Sequence, residues 1–231
     1  MLLVGGLTLA AVLFALLRYP IQQTKREVEL ANRITELGGK VTWGGLGSGR
    51  GKKGRSYIGA IDLSDSKVTD TDLIKIGALP GLTHLRLNNT QITDSGVLHL
   101  ARLSRIKQIE LTNTAISNES AETLAKLSSI TVLMLNKTSI SDDGLKHISS
   151  LKNIWSINVS STNITDDGIA HLATLPLLSS LDLTMTNITD NGLQPLHKLK
   201  ELSLVFVGKT EVTEKARQRF NDEYGNHVLV P

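Results

Sequence analysis

The sequence predicts an α/β solenoid of seven 24-residue coils, with parallel strands on the concave face and short helices on the convex face. One observation is a strict repeat with no slip in phase. The copies open at Ile58, Leu82, Ile106, Ile130, Ile154, Leu178 and Leu202. Another is a change of apolar spacing within each copy, from alternation to a three-residue period. No copy could bury its apolar face alone, so successive copies must stack around a shared core.

The second copy illustrates both elements. Leu85 and Leu87 alternate with polar residues, which is typical of a short strand with one buried face. Val97, Leu100 and Leu103 then recur at every third residue, which favours a short α- or 3₁₀-helix packed behind the strand. Each coil is therefore predicted to contribute one strand and one helix.

Two polar columns accompany the apolar ones. A threonine follows the strand in six copies, at Thr90, Thr114, Thr138, Thr162, Thr186 and Thr210. Its hydroxyl is predicted to hydrogen-bond the backbone of the turn. Thr-Asp pairs such as Thr165 and Asp166 are predicted to start the helices, by capping and by complementing the positive helix end. Since both columns recur in coil after coil, we interpret them as structural and not catalytic.

The pattern LxxLxLxxTxITDxGLxxLxxLxx, clearest from Leu82 to Leu103, resembles the leucine-rich repeat family. It is similar to the variant in bacterial, planctomycete-type membrane-anchored proteins and in eukaryotic F-box adaptors. The resemblance covers about three quarters of the chain and implies protein binding without naming a partner. Asn118 and Ser120 depart from T-D-x-G in the third copy, and Pro195 is expected to shorten the sixth helix.

Residues 1–20 are predicted to form a single-pass N-terminal membrane anchor, because Met1 to Leu17 is uncharged and mostly apolar. A cleavable signal peptide is the alternative, although a basic n-region and an A-x-A site are missing. The predicted localisation is therefore the membrane. Nine Lys/Arg against three Asp/Glu in residues 1–57 favour cytoplasmic repeats, whereas the family resemblance implies the outer side.

Residues 21–57 are predicted to form a stalk, an N-terminal cap and a basic glycine-rich loop. A helix is expected to end at Gly38-Gly39, with a short strand after it. The loop carries Arg50, Lys52, Lys53 and Arg55. It lacks the spacing of a phosphate-binding P-loop, so a flexible loop is the first interpretation and anion binding by these four residues is the alternative.

The repeats occupy residues 58–220, and residues 221–231 are predicted to form a C-terminal cap. Ala216 and Phe220 share one helical face, and a short apolar strand is predicted from His227 to Val230. A solenoid needs such a closing helix and strand to cover its last apolar layer.

Signatures of an enzyme are missing from the sequence. It has no cysteine, no G-x-S-x-G elbow, no H-E-x-x-H and no dinucleotide fingerprint. We therefore predict a non-enzyme with no catalytic residue and no cofactor. His99, His147 and His171 share one convex position, but helices about 8–10 Å apart make shared metal ligation strained. No metal and no nucleic-acid partner are expected, and the chain is expected to be a monomer.

The outward strand positions of the concave face are mostly small and polar. The exceptions, with a tryptophan just outside the row, are His84, Arg86, Val132, Met134 and Trp155. Aromatic and Arg side chains dominate the binding energy of protein interfaces, so these residues are the predicted protein-binding site. The alternative is that Trp155 lies flat and covers the sheet.

The function predicted from the sequence is that of a non-enzymatic, membrane-anchored leucine-rich repeat scaffold that binds an unidentified protein partner. One alternative is tethering to lipid head groups or another polyanion through the basic glycine-rich loop. A substrate adaptor of the ubiquitin-ligase type is less favoured, because residues 1–57 hold the apolar segment and the glycine-rich loop where an F-box domain should lie.

Overall fold

A computed structural model describes residues 25–45, 56–224 and 228–230. A helix, α1, covers residues 25–36. The strands are β1 Lys40–Gly45, β2 Ser56–Asp62, β3 His84–Arg86, β4 Gln108–Glu110, β5 Val132–Met134, β6 Ser156–Asn158, β7 Ser180–Asp182, β8 Leu204–Phe206 and β9 Val228–Val230. The later helices are α2 Asp70–Ile76, α3 Asp94–Leu98, α4 Asn118–Leu124, α5 Asp142–Ile148, α6 Asp166–Leu172, a 3₁₀ helix at Asp190–Lys198, and α7 Glu214–Tyr224.

The described strands form one sheet in sequence order from β1 to β9. Strands β2 to β9 are parallel, whereas β1 is antiparallel to β2. The register pairs residues one repeat apart, so Leu85 lies beside Ile109, and Ile109 beside Leu133. Parallel neighbours need a crossover, and between most of these strands it contains a short helix. The predicted solenoid of parallel strands and helices is confirmed.

The core lies between the sheet and the helices. Leu85 and Leu87 point inward from the second coil, and Val97, Leu100 and Leu103 meet them from the helical side. All five side chains are buried in one apolar cluster that also includes residues of α1 and α7. The alternating apolar residues of the repeat therefore form the sheet side of this core, and those spaced by three form the helical side.

The threonine column closes the turn after each strand. Thr90 Oγ1 donates to the Leu87 carbonyl at 2.6 Å, and the threonine at this position in each later coil makes the same bond. The residue before the column position is in the left-handed region, as with Asn89 at φ 56°. Asparagine tolerates this conformation better than most residues, and Asn113 Nδ2 also donates to Asn89 Oδ1 at 3.0 Å. The predicted hydrogen bond from the threonine hydroxyls to the backbone of the turn is confirmed.

Helix α1 and the 3₁₀ helix show one correct and one wrong expectation. Helix α1 ends as predicted, with Gly38 at φ 89° and the Gly39 amide donating to the Ile34 carbonyl at 2.8 Å. The expectation that Pro195 shortens its helix is wrong, because the 3₁₀ helix continues past it to Lys198. The proline ring crowds the carbonyl four residues back, which disfavours α winding but allows 3₁₀ turns.

The prediction of a membrane localisation through a single-pass anchor requires correction. In residues 25–45, 56–224 and 228–230, no helix is long and apolar enough to cross a membrane. A crossing helix needs about 20 consecutive apolar residues. Helix α7 has only 11 residues in total, and it is rich in charge. The segment assigned to the anchor, residues 1–20, lies outside the described residues.

Candidate functional site

The candidate site is the concave face, which we define as the outward side chains of β2 to β8 together with the exposed side chains at its edge that shortly precede these strands, Trp155 and Leu177. Each three-residue strand turns its middle residue into the core and the other two outward, as Leu85 does between His84 and Arg86. The parallel register then aligns equivalent residues across the sheet, so Arg86 lies between Asp62 and Glu110. The face is a ladder of side chains on a rigid backbone.

Arg86 is the centre of a polar network on this face. Its Nε donates to Glu110 Oε1 at 2.8 Å, and its Nη1 lies 3.8 Å from Asp62 Oδ2. Glu110 also accepts from Gln108 Nε2 at 2.6 Å and from Asn88 Nδ2 at 2.7 Å. The guanidinium is therefore engaged by two carboxylates of its own sheet, although its side chain remains about half exposed.

The network favours the charged forms of Arg86 and Asp62. The hydrogen bond to Glu110, followed by that carboxylate's charge, raises the pKa of Arg86 above its ordinary value. Burial by itself would raise the pKa of Asp62, but hydrogen bonds from Ser64 and the charges of Arg86 and Lys40 lower it overall. Since Lys40 pairs with Asp62 across β1 and β2, charges of alternating sign run over four strands.

The predicted binding residues fall into two groups. His84 and Arg86 are exposed on β3, whereas Val132 and Met134 lie two strands away on β5. Val132 is only 9% exposed, which leaves little of it open to a partner. Trp155, just before β6, is 48% exposed and adjoins the β5 pair. The structure thus brings three of the five residues together.

Four further residues belong to the same end of the face and were not singled out from the sequence. Leu177 is 47% exposed, two residues before Ser179, whose amide donates to the Trp155 carbonyl at 2.9 Å. The others, all half-buried on β7 and β8, are Asp182, Leu204 and Phe206. The sequence did contain a signal for Leu177. The repeat requires an apolar core residue at Leu178 but not at position 177, so Leu177 is an extra apolar residue.

The Thr-Asp pairs have a role that the sequence did not indicate. The helices do begin at these aspartates, as predicted. However, Asp166 Oδ1 accepts from the Thr189 amide at 2.8 Å, and Asp166 Oδ2 accepts from Thr189 Oγ1 at 2.6 Å, one coil further on. Equivalent pairs of bonds are made by Asp70, Asp94, Asp142 and Asp190. We call this column the aspartate clamp, since it fastens each coil to the next.

We expect one aspartate of the clamp, Asp94, to give the protein a pH-dependent stability. Burial alone would raise the pKa of Asp94, but hydrogen bonds from the amides and hydroxyls of Ser117 and Ser120 lower it overall. A depressed folded pKa contributes stability that is fully present above the unfolded value of about 3.9 and is lost as pH falls through the folded value. Asp94→Asn should therefore destabilise the protein near pH 7 and much less near pH 3.

Urea unfolding of both proteins at pH 7, 5 and 3 measures this difference in free energy. Asparagine is the matched replacement, because Asn118 already occupies the same position in the third coil. There its Oδ1 accepts from the Ser141 amide at 2.9 Å and its Nδ2 donates to Ser141 Oγ at 2.8 Å. A difference between the proteins that stayed constant with pH would contradict the assignment.

The metal and anion candidates from the sequence lie on the convex side or outside the described residues. In the described part of the chain, no set of three or more His, Asp or Glu side chains could hold a metal ion. His99 and His147 are exposed on the convex side, and His171 is half-buried there. The basic residues of the glycine-rich loop, Arg50, Lys52, Lys53 and Arg55, lie outside the described residues.

Comparisons with known proteins agree on the fold. A family model described as Leucine Rich repeat matches residues 80–101 and 174–196. An internalin (inlF) of Listeria monocytogenes is 17% identical, with a TM-score of 0.54 over 74% of this chain and 52% of that chain. Internalin C2 (inlC2) of the same species is 21% identical, with a TM-score of 0.55 over 75% and 80%. No curated protein sequence matches the chain.

A sheet of stacked parallel strands backed by short helices defines a solenoid, a class whose extended concave surfaces serve for binding. Two stretches of the chain match the leucine-rich repeat model, and the fold is the leucine-rich repeat solenoid that the two internalins share. The chain spans about half the length of the first internalin. The particular bacterial variant that the T-x-I-T-D-x-G-L pattern resembles stays a prediction.

Proposed function

We propose that this leucine-rich repeat protein is a non-enzymatic interaction module that binds a protein partner on its concave face. The observation that carries the proposal is the exposed indole of Trp155, which is 48% accessible beside β5 and β6. Tryptophan is among the residues that supply most of the energy of protein interfaces. A partner that covered this ring would gain the free energy of removing a large apolar surface from water.

The backbone beneath Trp155 is already fixed, which favours binding. Its amide donates to the Thr131 carbonyl at 2.9 Å, and its carbonyl accepts from the Ser179 amide at 2.9 Å. Thr131 and Ser179 occupy the same repeat position in the flanking coils and are both smaller than tryptophan. Because the sheet loses little chain entropy when a partner docks, more of the contact energy appears as affinity.

Replacing Trp155 by alanine is expected to weaken partner binding by about 1–3 kcal/mol, as truncation of an interface anchor does. Arg86→Ala should act in the same direction, since half of that side chain is accessible. The partner can be captured by a photoreactive amino acid placed at position 179, beside the intact Trp155, of the full chain in its own cells. Affinities of the purified partner for each variant are then measured by calorimetry.

The matched control is a four-charge variant in which Arg50, Lys52, Lys53 and Arg55 are all replaced by glutamine. It should bind the partner almost as the parent does. If the protein instead tethers to a polyanion, this variant loses binding to anionic vesicles, and the parent shows a steep salt dependence. In that case Trp155→Ala would bind the vesicles normally, and the proposal would be overturned.

A further inference from the structure

The charges of the concave face are compensated at one end and not at the other. Towards the N-terminal end, Arg86 lies between the carboxylates of Asp62 and Glu110. Asp182 on β7 differs, since it makes no ion pair with any residue that the structure describes. Its partners are dipoles: Asn158 Nδ2 donates to Oδ2 at 2.9 Å, and the Thr184 amide donates to Oδ1 at 3.0 Å.

These two bonds orient the Asp182 carboxylate without neutralising it. An ionised carboxylate has about four acceptor positions, so at least one lone pair remains on each oxygen for a further donor. Asp182 is half-buried and faces outward from the sheet. A cation from outside the chain would supply the opposite charge that no described side chain supplies to Asp182.

Apolar side chains lie in the same row of the face as the Asp182 carboxylate. Phe206 is its register partner on β8, and Met134 occupies the equivalent position two strands away on β5. Both are half-buried, as is Leu204. With strands about 4.8 Å apart, Met134 to Phe206 spans roughly 14 Å, which four to five residues of extended chain can cover. Exposed Trp155 and Leu177 extend the apolar surface at its edge.

We propose that Asp182 is the specificity residue of the concave face and that the partner presents a lysine or arginine to it between apolar side chains. The inference rests on the proposed function and names the chemistry of the partner. A partner with apolar residues alone would leave the carboxylate covered and unpaired, which is strongly unfavourable. Asp182 therefore selects for a basic residue by rejecting segments that lack one.

The test uses a displayed library of random 12-residue peptides, selected against the full chain at low salt. We expect the enriched peptides to carry Lys or Arg next to apolar residues. They should bind the isosteric variant Asp182→Asn about tenfold more weakly, as expected for a charge pair that the bound peptide covers. Asp167→Asn is the matched control, because Asp167 is exposed on the helical side, and it should bind like the parent. Asp182→Lys, selected separately, should enrich acidic peptides.

The outcomes distinguish a failure of the role of Asp182 from a failure of the proposed function. If Trp155→Ala weakens the selected peptides but Asp182→Asn does not, the concave face binds and the role of Asp182 is wrong. If neither variant weakens them, or if no peptide is enriched, both proposals are overturned. Thermal unfolding of each variant shows whether the fold is retained, and Asp182→Lys supplies a gain of acidic preference that misfolding could not produce.

Discussion

Replacing Leu133 or Leu135 by alanine is expected to lower the free energy of unfolding by about 2–5 kcal/mol for each substitution. Both side chains are fully buried between the sheet and the helices of the fourth coil. Strand β5 pairs with β4 on one side and β6 on the other, so a cavity there weakens two interfaces between coils. In a solenoid each coil contacts only its neighbours. A destabilised central coil therefore leaves the coils on its two sides unable to stabilise each other.

Met134→Ala is the matched control, because Met134 lies between the two leucines in sequence and faces the opposite side of the sheet. Its side chain is half-buried, so its removal should cost much less than removal of either leucine. Urea unfolding monitored by circular dichroism gives the three free energies. Equal losses for the three substitutions would mean that the inward and outward positions of the strand have been misassigned.

The architecture was predictable because the buried residues recur at regular spacings in the sequence. Leu85 and Leu87 are two residues apart, and Leu100 and Leu103 are three apart, which identifies a strand and a helix from local geometry. The strict repeat then requires that equivalent residues stack, so the parallel register follows from the phase alone.

The aspartate clamp could not be predicted in the same way. Local rules assign Asp166 to the first turn of its own helix, where the helix dipole favours a carboxylate. The hydrogen bonds that it makes go to Thr189, in the next coil. How far one coil is displaced from the next decides whether the carboxylate reaches that threonine, and this displacement depends on packing and not on local sequence.

The concave site was predictable only in part, for a related reason. Alternation along a strand identifies which side chains point outward, and it placed His84, Arg86 and Met134 correctly on the outer side. It does not give their exposure, which depends on the neighbouring strands. Val132 points outward but is 9% exposed, whereas Leu177 lies beside a core position and is 47% exposed. Charge compensation at Arg86 likewise depends on the register of three strands.

The repeated glycine of the helical turn gives a further prediction, because a Cβ at Gly168 would lie 2.2 Å from Asp142 Oδ1. That carboxylate belongs to the clamp and accepts from the Thr165 amide at 2.9 Å and from Thr165 Oγ1 at 2.6 Å. A methyl group must displace it. Gly168→Ala should therefore destabilise the protein by about 1–3 kcal/mol, the usual range for overpacking.

A double-mutant cycle with Asp142→Ala isolates the contact. Without the carboxylate the Cβ meets only the end of the Leu145 side chain, at 3.2 Å, which a small rotation of that side chain relieves. The change of glycine to alanine in a helix should then stabilise by up to about 1 kcal/mol. The sign of the Gly168→Ala effect is thus expected to reverse. Serine should be milder than alanine at this position, because Ser120, its counterpart in the third coil, donates its hydroxyl to Asp94. Additive free energies in urea unfolding would show that the glycine is not retained to make room for the clamp.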